Sequence, residues 1–363
     1  MNKKVAVIIS PNWHDYAEKY LDDCLAGIRA QDYPGEIKIF ITDNETSEAS
    51  YDFLRAKFSA WAGNFDKKIP EPEIWRNQTN DGFAKGCNDC LKKALAEGFD
   101  YFFNLSIHSF MEPSCISRLV EAAESDPRIG AVQALCLLDP EKNKILSAGN
   151  VTHFLGFGYC AGYREERGRV PAEISDIFYP SGGSFFLKRE ILEKVGMFDE
   201  VYWMYNEDQE LGWRIWLAGL RCVLAPRAVM YSKFNFLRSA KKYYWLDRNR
   251  LLAIFECYEP LTLILIMPAL AIMEIGLALF SLQAGWFNEK LKVWNYFLSY
   301  DNWEYIKKAR RRNQSLRKIK DKELSRLITG KIWYQEVNDW KLRLINPIFN
   351  AYWHLVRAVL TIF

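Results

Sequence analysis

The first third of the chain alternates between two hydrophobic periods. Residues 4–10, "KVAVIIS", form a continuous apolar run behind a charged start, the pattern of a strand buried on both faces. Residues 17–31 place Tyr20, Leu21, Cys24, Leu25 and Ile28 at near-helical spacing, which predicts an amphipathic helix packed on that strand. Further strands are expected over 37–44 ("IKIFITDN"), 99–106 ("FDYFFNLS") and 130–138 ("GAVQALCLL"). Helices are expected between them, over 82–98 and over 114–126, the latter with Pro113 near its start. This alternation from residue 4 to residue 138 predicts a largely parallel, three-layer α/β domain.

The pattern loosens over 147–163, rich in glycine and aromatics without a period, as in loops or edge strands. It then returns to a glycine-bearing turn, strand and helix over 180–198. A helix opening on acids is expected over 207–221, and a strand interrupted by a proline turn over 222–232. Residues 260–282 carry a single charge, Glu274, and are long enough for the hydrocarbon thickness of a bilayer. Glu274 would need a partner there and Pro268 would bend the helix; a core helix or oligomer element is the alternative. Lys290, Lys292, the basic stretch 305–322 and the aromatic C-terminal run "IFNAYWHLVRAVLTIF" suit an anionic lipid surface. The expected organisation is a catalytic domain over 1–255 and a helical region over 256–363, membrane-associated on the cytoplasmic side of the cell membrane. A crossing, a re-entrant bend and a monotopic seat all remain open.

Composition narrows this picture in two ways. A net charge of +3 is too small to argue for nucleic acid. Eight cysteines include one close pair, Cys87 and Cys90, with no second pair and no secretory leader. Packing on a helix explains that pair better than zinc or a disulfide, and a reduced, cytosol-facing protein is expected.

Candidate chemistry sits at the ends of the predicted strands, where α/β enzymes place their sites. Pro11, Asn12, Trp13 and His14 follow the first strand, and Asp43 and Asn44 follow the second. Asp43 could accept hydrogen bonds from a base or ribose while Trp13 stacks; capping of a loop is the alternative. Ser106, Ile107 and His108 follow the strand over 99–106. Glu207, Asp208 and Glu210 crowd a helix start beside Tyr205, Asn206 and Trp213, more acid than capping explains. Gly182 and Gly183 permit close backbone approach to a ligand.

Five segments in order, "VAVIISPNWH", "QDYPGEIKIFITDNETSEAS", "NDGFAKGCNDCL", "PSGGSFFLKREILEKVGMFDE" and "YNEDQELGWRIWLAGLRC", resemble the inverting glycosyltransferase family 2 over residues 4–255, and within it the rhamnosyltransferase-like branch. The resemblance implies a GT-A nucleotide-diphospho-sugar transferase fold, a Rossmann-like mixed sheet flanked by helices. It implies inverting transfer of a sugar, such as rhamnose or another deoxysugar, from a UDP- or dTDP-linked donor to a saccharide or lipid-linked acceptor in cell-surface glycan synthesis. On that resemblance Asp208 is the general base and Glu207 orients it or binds the sugar. Pro11, Asn12, Trp13, Asp43, Asn44, Asn80, Lys85, Ser106 and His108 would meet the nucleotide and donor, and Gly182, Gly183, Trp213 and Arg214 the sugar or acceptor.

Two positions depart from the family's pattern. Its metal-binding acidic motif would end in an aspartate at 108, where this chain has His108. A histidine expected in the region of residue 232 is Ser232. Three readings follow: a divalent cation (Mn²⁺ or Mg²⁺) held through His108; a diphosphate neutralised without metal by His108 as imidazolium with Lys85, Arg214 or Lys233; or an inactive nucleotide-sugar-binding or membrane complex-assembly protein. Homo-oligomerisation is left open.

Overall fold

The computed structural model describes residues 3–12, 16–62, 69–234, 240–333 and 340–362. Trp13 and His14 lie outside the described residues. The chain divides into two compact units: residues 1–149, 160–215 and 220–235, and residues 150–159, 216–219 and 236–363.

The first unit contains β1 (Val5–Asn12), α1 (Ala17–Arg29), β2 (Ile37–Asn44), α2 (Glu48–Ala62), β3 (Glu73–Asn77), α3 (Gly82–Ala96), β4 (Tyr101–Leu105), β5 (Ser109–Met111), α4 (Cys115–Glu124), β6 (Ile129–Leu138) and β7 (Ile145–Ser147). After an excursion through β8 (Asn150–His153) and β9 (Gly158–Cys160) it continues with β10 (Ser175–Asp176), β11 (Ser184–Lys188), α5 (Arg189–Val195), α6 (Glu207–Leu217) and β12 (Arg221–Ser232). The main sheet runs β10-β12-β6-β11-β4-β1-β2-β3, with β5 on β12 and β7 on β6.

The sequence explains the centre of this sheet. Every residue of β1 is buried, as its unbroken apolar run requires, and β1 pairs in parallel with β2 and β4. Leu21, Cys24, Leu25 and Ile28 form the buried face of α1. That helix approaches so closely that a Cβ on Gly27 would lie 2.8 Å from the Met111 backbone nitrogen. Each fully buried aliphatic side chain of this kind contributes about 1.5–3 kcal/mol. The sheet is mixed rather than largely parallel, because β11 runs antiparallel to both of its neighbours, β4 and β6. The proline turn expected in the last strand is a register shift between Ala225 and Val229.

These directions set the site. The carboxyl ends of β1, β2 and β4 share one edge, and the antiparallel β11 starts there, with Ser184 opposite Leu105. β12 ends at Ser232 opposite Ser109 of β5, which carries the residue after β4 to the end of the last strand.

The second unit holds α7 (Ala240–Cys257), α8 (Pro260–Ala284), α9 (Phe287–Leu298), α10 (Tyr300–Leu316), α11 (Asp321–Leu324), β13 (Ile328–Thr329) and α12 (Trp340–Ile362), with a small sheet ordered β13-β8-β9. α7 packs on α9 and α10 and groups with them in the second unit. Among the described residues α8 is the one helix long and apolar enough to cross a membrane, and 22% of its most apolar stretch is buried.

Candidate functional site

At the end of β2, Asp43 is fully buried. Its Oδ1 accepts from Asn12 Nδ2 at 3.2 Å and from Thr46 Oγ1 at 2.5 Å, and its Oδ2 faces Arg76 Nε at 3.1 Å. Asn12 also donates to Ser50 Oγ at 3.2 Å, while its buried Oδ1 finds no partner among the described residues. Asn44 donates to the Gly82 carbonyl at 3.0 Å and accepts from Asn77 at 3.0 Å. Asn80 Oδ1 accepts the Gly82 N–H at 3.1 Å. Asn44 and Asn80 therefore shape the turn that opens α3. Pro11 packs against the same helix, since a Cβ on Gly86 would lie 2.4 Å from Pro11 Cγ. Arg76, Thr46 and Ser50 were not foreseen from sequence; no local pattern marks them.

Gly182 and Gly183 join the β4 edge to the acids of α6. The Gly182 N–H donates to Asp208 Oδ2 at 2.8 Å and its carbonyl accepts from Asn104 Nδ2 at 2.6 Å. The Gly183 carbonyl accepts the Ser106 N–H at 3.1 Å, and a Cβ on Gly183 would fall 2.0 Å from Ser106 Oγ. Asn104, the amide inside the apolar run "YFFNL", is the visible sequence signal for this clamp.

Asp208 Oδ1 also accepts the Gln209 N–H at 2.8 Å. Burial outweighs the two N–H bonds and pushes its pKa up to about 6. Glu207 is pushed well above the usual carboxylate range, first by burial and then by the charge of Asp208. Glu207 Oε2 is buried with no hydrogen-bond partner among the described residues. The neighbours thus separate into one carboxyl that ionises near neutrality and one held neutral. The approach to α6 is strained: Trp203, Tyr205 and Asn206 have φ of 57°, 66° and 64°, in the region non-glycine residues avoid. Trp203 closes on α3, its backbone carbonyl accepting the Ala84 N–H at 3.2 Å.

His108 sits beside Ser232, with Nδ1 3.1 Å from Ser232 Oγ, and its carbonyl accepts the Lys233 N–H at 3.0 Å. Phe234 N–H donates to the same Ser232 hydroxyl at 3.2 Å, and the Ser109 hydroxyl lies 3.5 Å from Nδ1. Tyr20 and Phe234 flank the ring at centroid distances of 6.2 and 5.1 Å. Burial holds the imidazole neutral, with its pKa lowered to about 4 and no carboxylate among the causes. No group of three or more His, Cys, Asp or Glu side chains able to hold a metal occurs among the described residues. A hard divalent cation needs several oxygen donors. Among the described residues, one imidazole among rings with the Ser232 and Ser109 hydroxyls at Nδ1 does not supply that set by itself.

Two expected contacts are corrected. Arg214 is 1% exposed and committed to Glu210 (2.7 Å), to the Val195 carbonyl and to the Met197 carbonyl at 2.7 Å, so it braces α6 and cannot reach a phosphate. Trp213 is fully buried edge-on against Phe178, 5.2 Å between centroids, and is a core residue. Lys85 remains partly exposed at the start of α3, paired with Asp89 at 2.7 Å, and Lys233 pairs with Asp23. Cys87 and Cys90 are buried and free, as packing requires.

Comparison with known proteins bears on this arrangement. The family model for glycosyl transferase family 2 matches residues 7–196, and that for glycosyl transferase family group 2 matches residues 108–298. N-acetylglucosaminyl-diphospho-decaprenol L-rhamnosyltransferase from two strains of Mycobacterium tuberculosis is 33% identical over 135 residues, covering 33% of this chain. The match spans 43% of that protein's own length. A crystal structure of GalNAc-T7 with UDP, GalNAc and Mn²⁺ superposes with a TM-score of 0.54 at 14% identity, covering 72% of this chain and 48% of that one. The mannosyltransferase PcManGT from Pyrobaculum calidifontis, in complex with GDP-Man and Mn²⁺, gives 0.49 at 15% identity over 99% of this chain and 87% of its own. With more than half of its length matched by the family model, the chain belongs to glycosyl transferase family 2.

Proposed function

We propose that the chain is an inverting glycosyltransferase of the GT-A type, with residues 1–235 as the main catalytic body. It transfers a sugar from a nucleoside-diphosphate donor to a hydroxyl of a saccharide or lipid-linked acceptor. The observation that carries this reading is Asp208: a carboxylate at a helix start, clamped by the Gly182 and Gln209 N–H groups, with a pKa of about 6 beside a neutral Glu207. A general base is most effective when its pKa lies near the working pH.

Asp208 takes the proton of the acceptor hydroxyl. The oxygen forms its bond to the anomeric carbon as the bond from that carbon to the diphosphate oxygen breaks on the opposite face. The electron pair leaves with the nucleoside diphosphate, and the configuration inverts. Glu207, kept protonated, donates from Oε2, which has no hydrogen-bond partner among the described residues, to a sugar hydroxyl. Asp43 and Asn12, both buried at the strand ends, brace the edge against which the nucleoside binds. The departing diphosphate meets the Ser106 hydroxyl, the His108 imidazole and Lys85, with no cation at position 108. A deoxysugar donor and a polyprenyl-diphosphate-linked acceptor are supported by the name of the Mycobacterium relative. The apolar α8 supports a seat at a membrane surface, where such an acceptor resides.

The unfitted metal position favours one second reading, a donor-binding protein without transfer. Product analysis with membranes carrying the full chain and a panel of nucleotide sugars separates the two. Transfer lost in Asp208→Asn with donor binding retained supports the enzyme; donor binding without turnover in the unaltered chain supports the second reading.

A further inference from the structure

Glu274, the single charge of the apolar helix α8, is matched at its midpoint. Lys290 of α9 reaches Glu274 at 2.6 Å, and Arg250 of α7 bonds its other oxygen. Asp247 of α7 completes the set, 2.6 Å from each cation. Two positive and two negative charges cancel, and Arg250 and Lys290 are 1% and 0% exposed. Trp294 of α9 adds an N–H to Glu274 at 3.3 Å.

This cluster restricts how α8 can meet a bilayer. α7 precedes α8 in the chain and α9 follows it, yet the two touch through Asp247 and Lys290. A helix of 25 residues is about 37 Å long, and crossing with it would carry the chain after it to the opposite surface. It would also put the four-charge cluster near mid-bilayer. Separating the cluster instead leaves buried ions unpaired, which costs about 3–5 kcal/mol per broken pair. A crossing is therefore disfavoured on both counts.

The free face of α8 is apolar over its whole length: Ile264, Met267, Ile272, Ile275, Leu279 and Leu282 are all exposed at helical spacing. α12 packs beside α8, with Tyr352 Oη donating to the Leu265 carbonyl at 2.7 Å, and presents a second exposed stripe, Leu344, Ile348, Leu355 and Ile362. A protein interface of this extent carries a polar rim and about ten hydrogen bonds; on α8 the exposed positions before Gln283 offer no polar side chain. Exposed Lys307, Lys308, Arg311 and Arg312 lie on α10, which packs on α9, and complement anionic headgroups.

We propose that the second unit docks in the plane of one leaflet of an anionic phospholipid bilayer, with α8 and α12 lying along the membrane and both chain ends on the same side. The proposal rests on the membrane reading given above and is independent of the transferase reading. The full chain, tagged at both ends, is reconstituted into phosphatidylcholine vesicles with and without phosphatidylglycerol, then treated with external protease. In-plane docking has each molecule keep both tags or lose both, with tighter binding to the anionic vesicles. Ile272→Asp and Leu279→Asp, at exposed positions where the fold tolerates a charge, each lower the bound fraction by about tenfold or more. Vesicle-bound molecules that keep one tag and lose the other overturn the in-plane seat and leave membrane association standing. Full chain that ignores vesicles of both compositions, or self-associates through this face with Ile272→Asp restoring monomers, overturns membrane docking altogether.

Discussion

His108 Nδ1 and Ser232 Oγ lie 3.1 Å apart, so the two positions at which the chain departs from its family's pattern touch one another. We propose that this imidazole–hydroxyl pair meets the diphosphate without a resident cation, since the described residues hold no metal-binding group there. Chelator should therefore leave transfer unchanged. The double substitution His108→Asp with Ser232→His should make activity respond to added Mn²⁺, measured as initial rate against metal concentration. A strong loss of activity of the unaltered chain in chelator, restored by Mn²⁺, would show the reading of this site to be wrong.

Glu207 is held neutral, so its amide analogue should be well tolerated. Glu207→Gln is expected to retain the fold and the acid limb of activity of the unaltered chain, while Glu207→Ala loses a buried side chain and about 1–3 kcal/mol. The sign of the pH effect follows from raised folded-state values. Stability from such groups is fully present below the unfolded carboxylate range and is lost as pH rises through the folded value. The contribution of Asp208 to stability should fall as pH rises from 4 towards about 6, where the unfolded carboxylate has ionised and the folded one has not. It is read as the difference in melting temperature from Asp208→Asn. At still higher pH the melting temperature should fall less in Glu207→Gln. Thermal unfolding across that range is the measurement.

Arg214 serves the fold rather than the substrate. Arg214→Ala removes the buried ion pair with Glu210 and should cost about 3–5 kcal/mol in stability. Donor affinity in the protein that still folds should be unchanged. Denaturant unfolding and donor titration read the two effects separately.

Gly183 has no room for a side chain, since its Cβ would meet Ser106 Oγ at 2.0 Å. Gly183→Ala is expected to displace the clamp that holds Asp208 and to cost about 1–3 kcal/mol. The fall in kcat should exceed the rise in KM for the donor. A paired Gly183→Ala with Ser106→Gly should recover part of the loss in stability, which a diffuse packing defect would not allow.

Much of the first unit was legible because its strands are buried on both faces: β1, β2, β4 and β6 announce themselves as apolar runs ending in polar residues. The antiparallel insertion of β11 was not legible, because strand direction depends on pairing and leaves no local trace. β5 is three residues long and hides inside what reads as a turn. Within the site, Asp208 and the glycine pair were visible as types out of place, an acid cluster at a helix start and adjacent glycines before a strand. Arg214 misled because its partner Glu210 lies one turn away on the same helix, an internal pairing that composition cannot distinguish from an open cation. The partner of Glu274 was required by its burial, but that it would be a cluster of Arg250, Lys290 and Asp247 needed the packing of α7 against α9.

The central claim is that Asp208 is the base that activates the acceptor. The most direct test is the pH dependence of kcat/KM for the unaltered chain, for Glu207→Gln and for Asp208→Asn, with donor binding followed in parallel. Activity should rise with pH through an acid limb at about 6 in the first two, and Asp208→Asn should lose about 10²–10⁴ of the rate while still binding donor. An Asp208→Asn chain that keeps its rate, or an acid limb at the same pH in the residual activity of that variant, would contradict it.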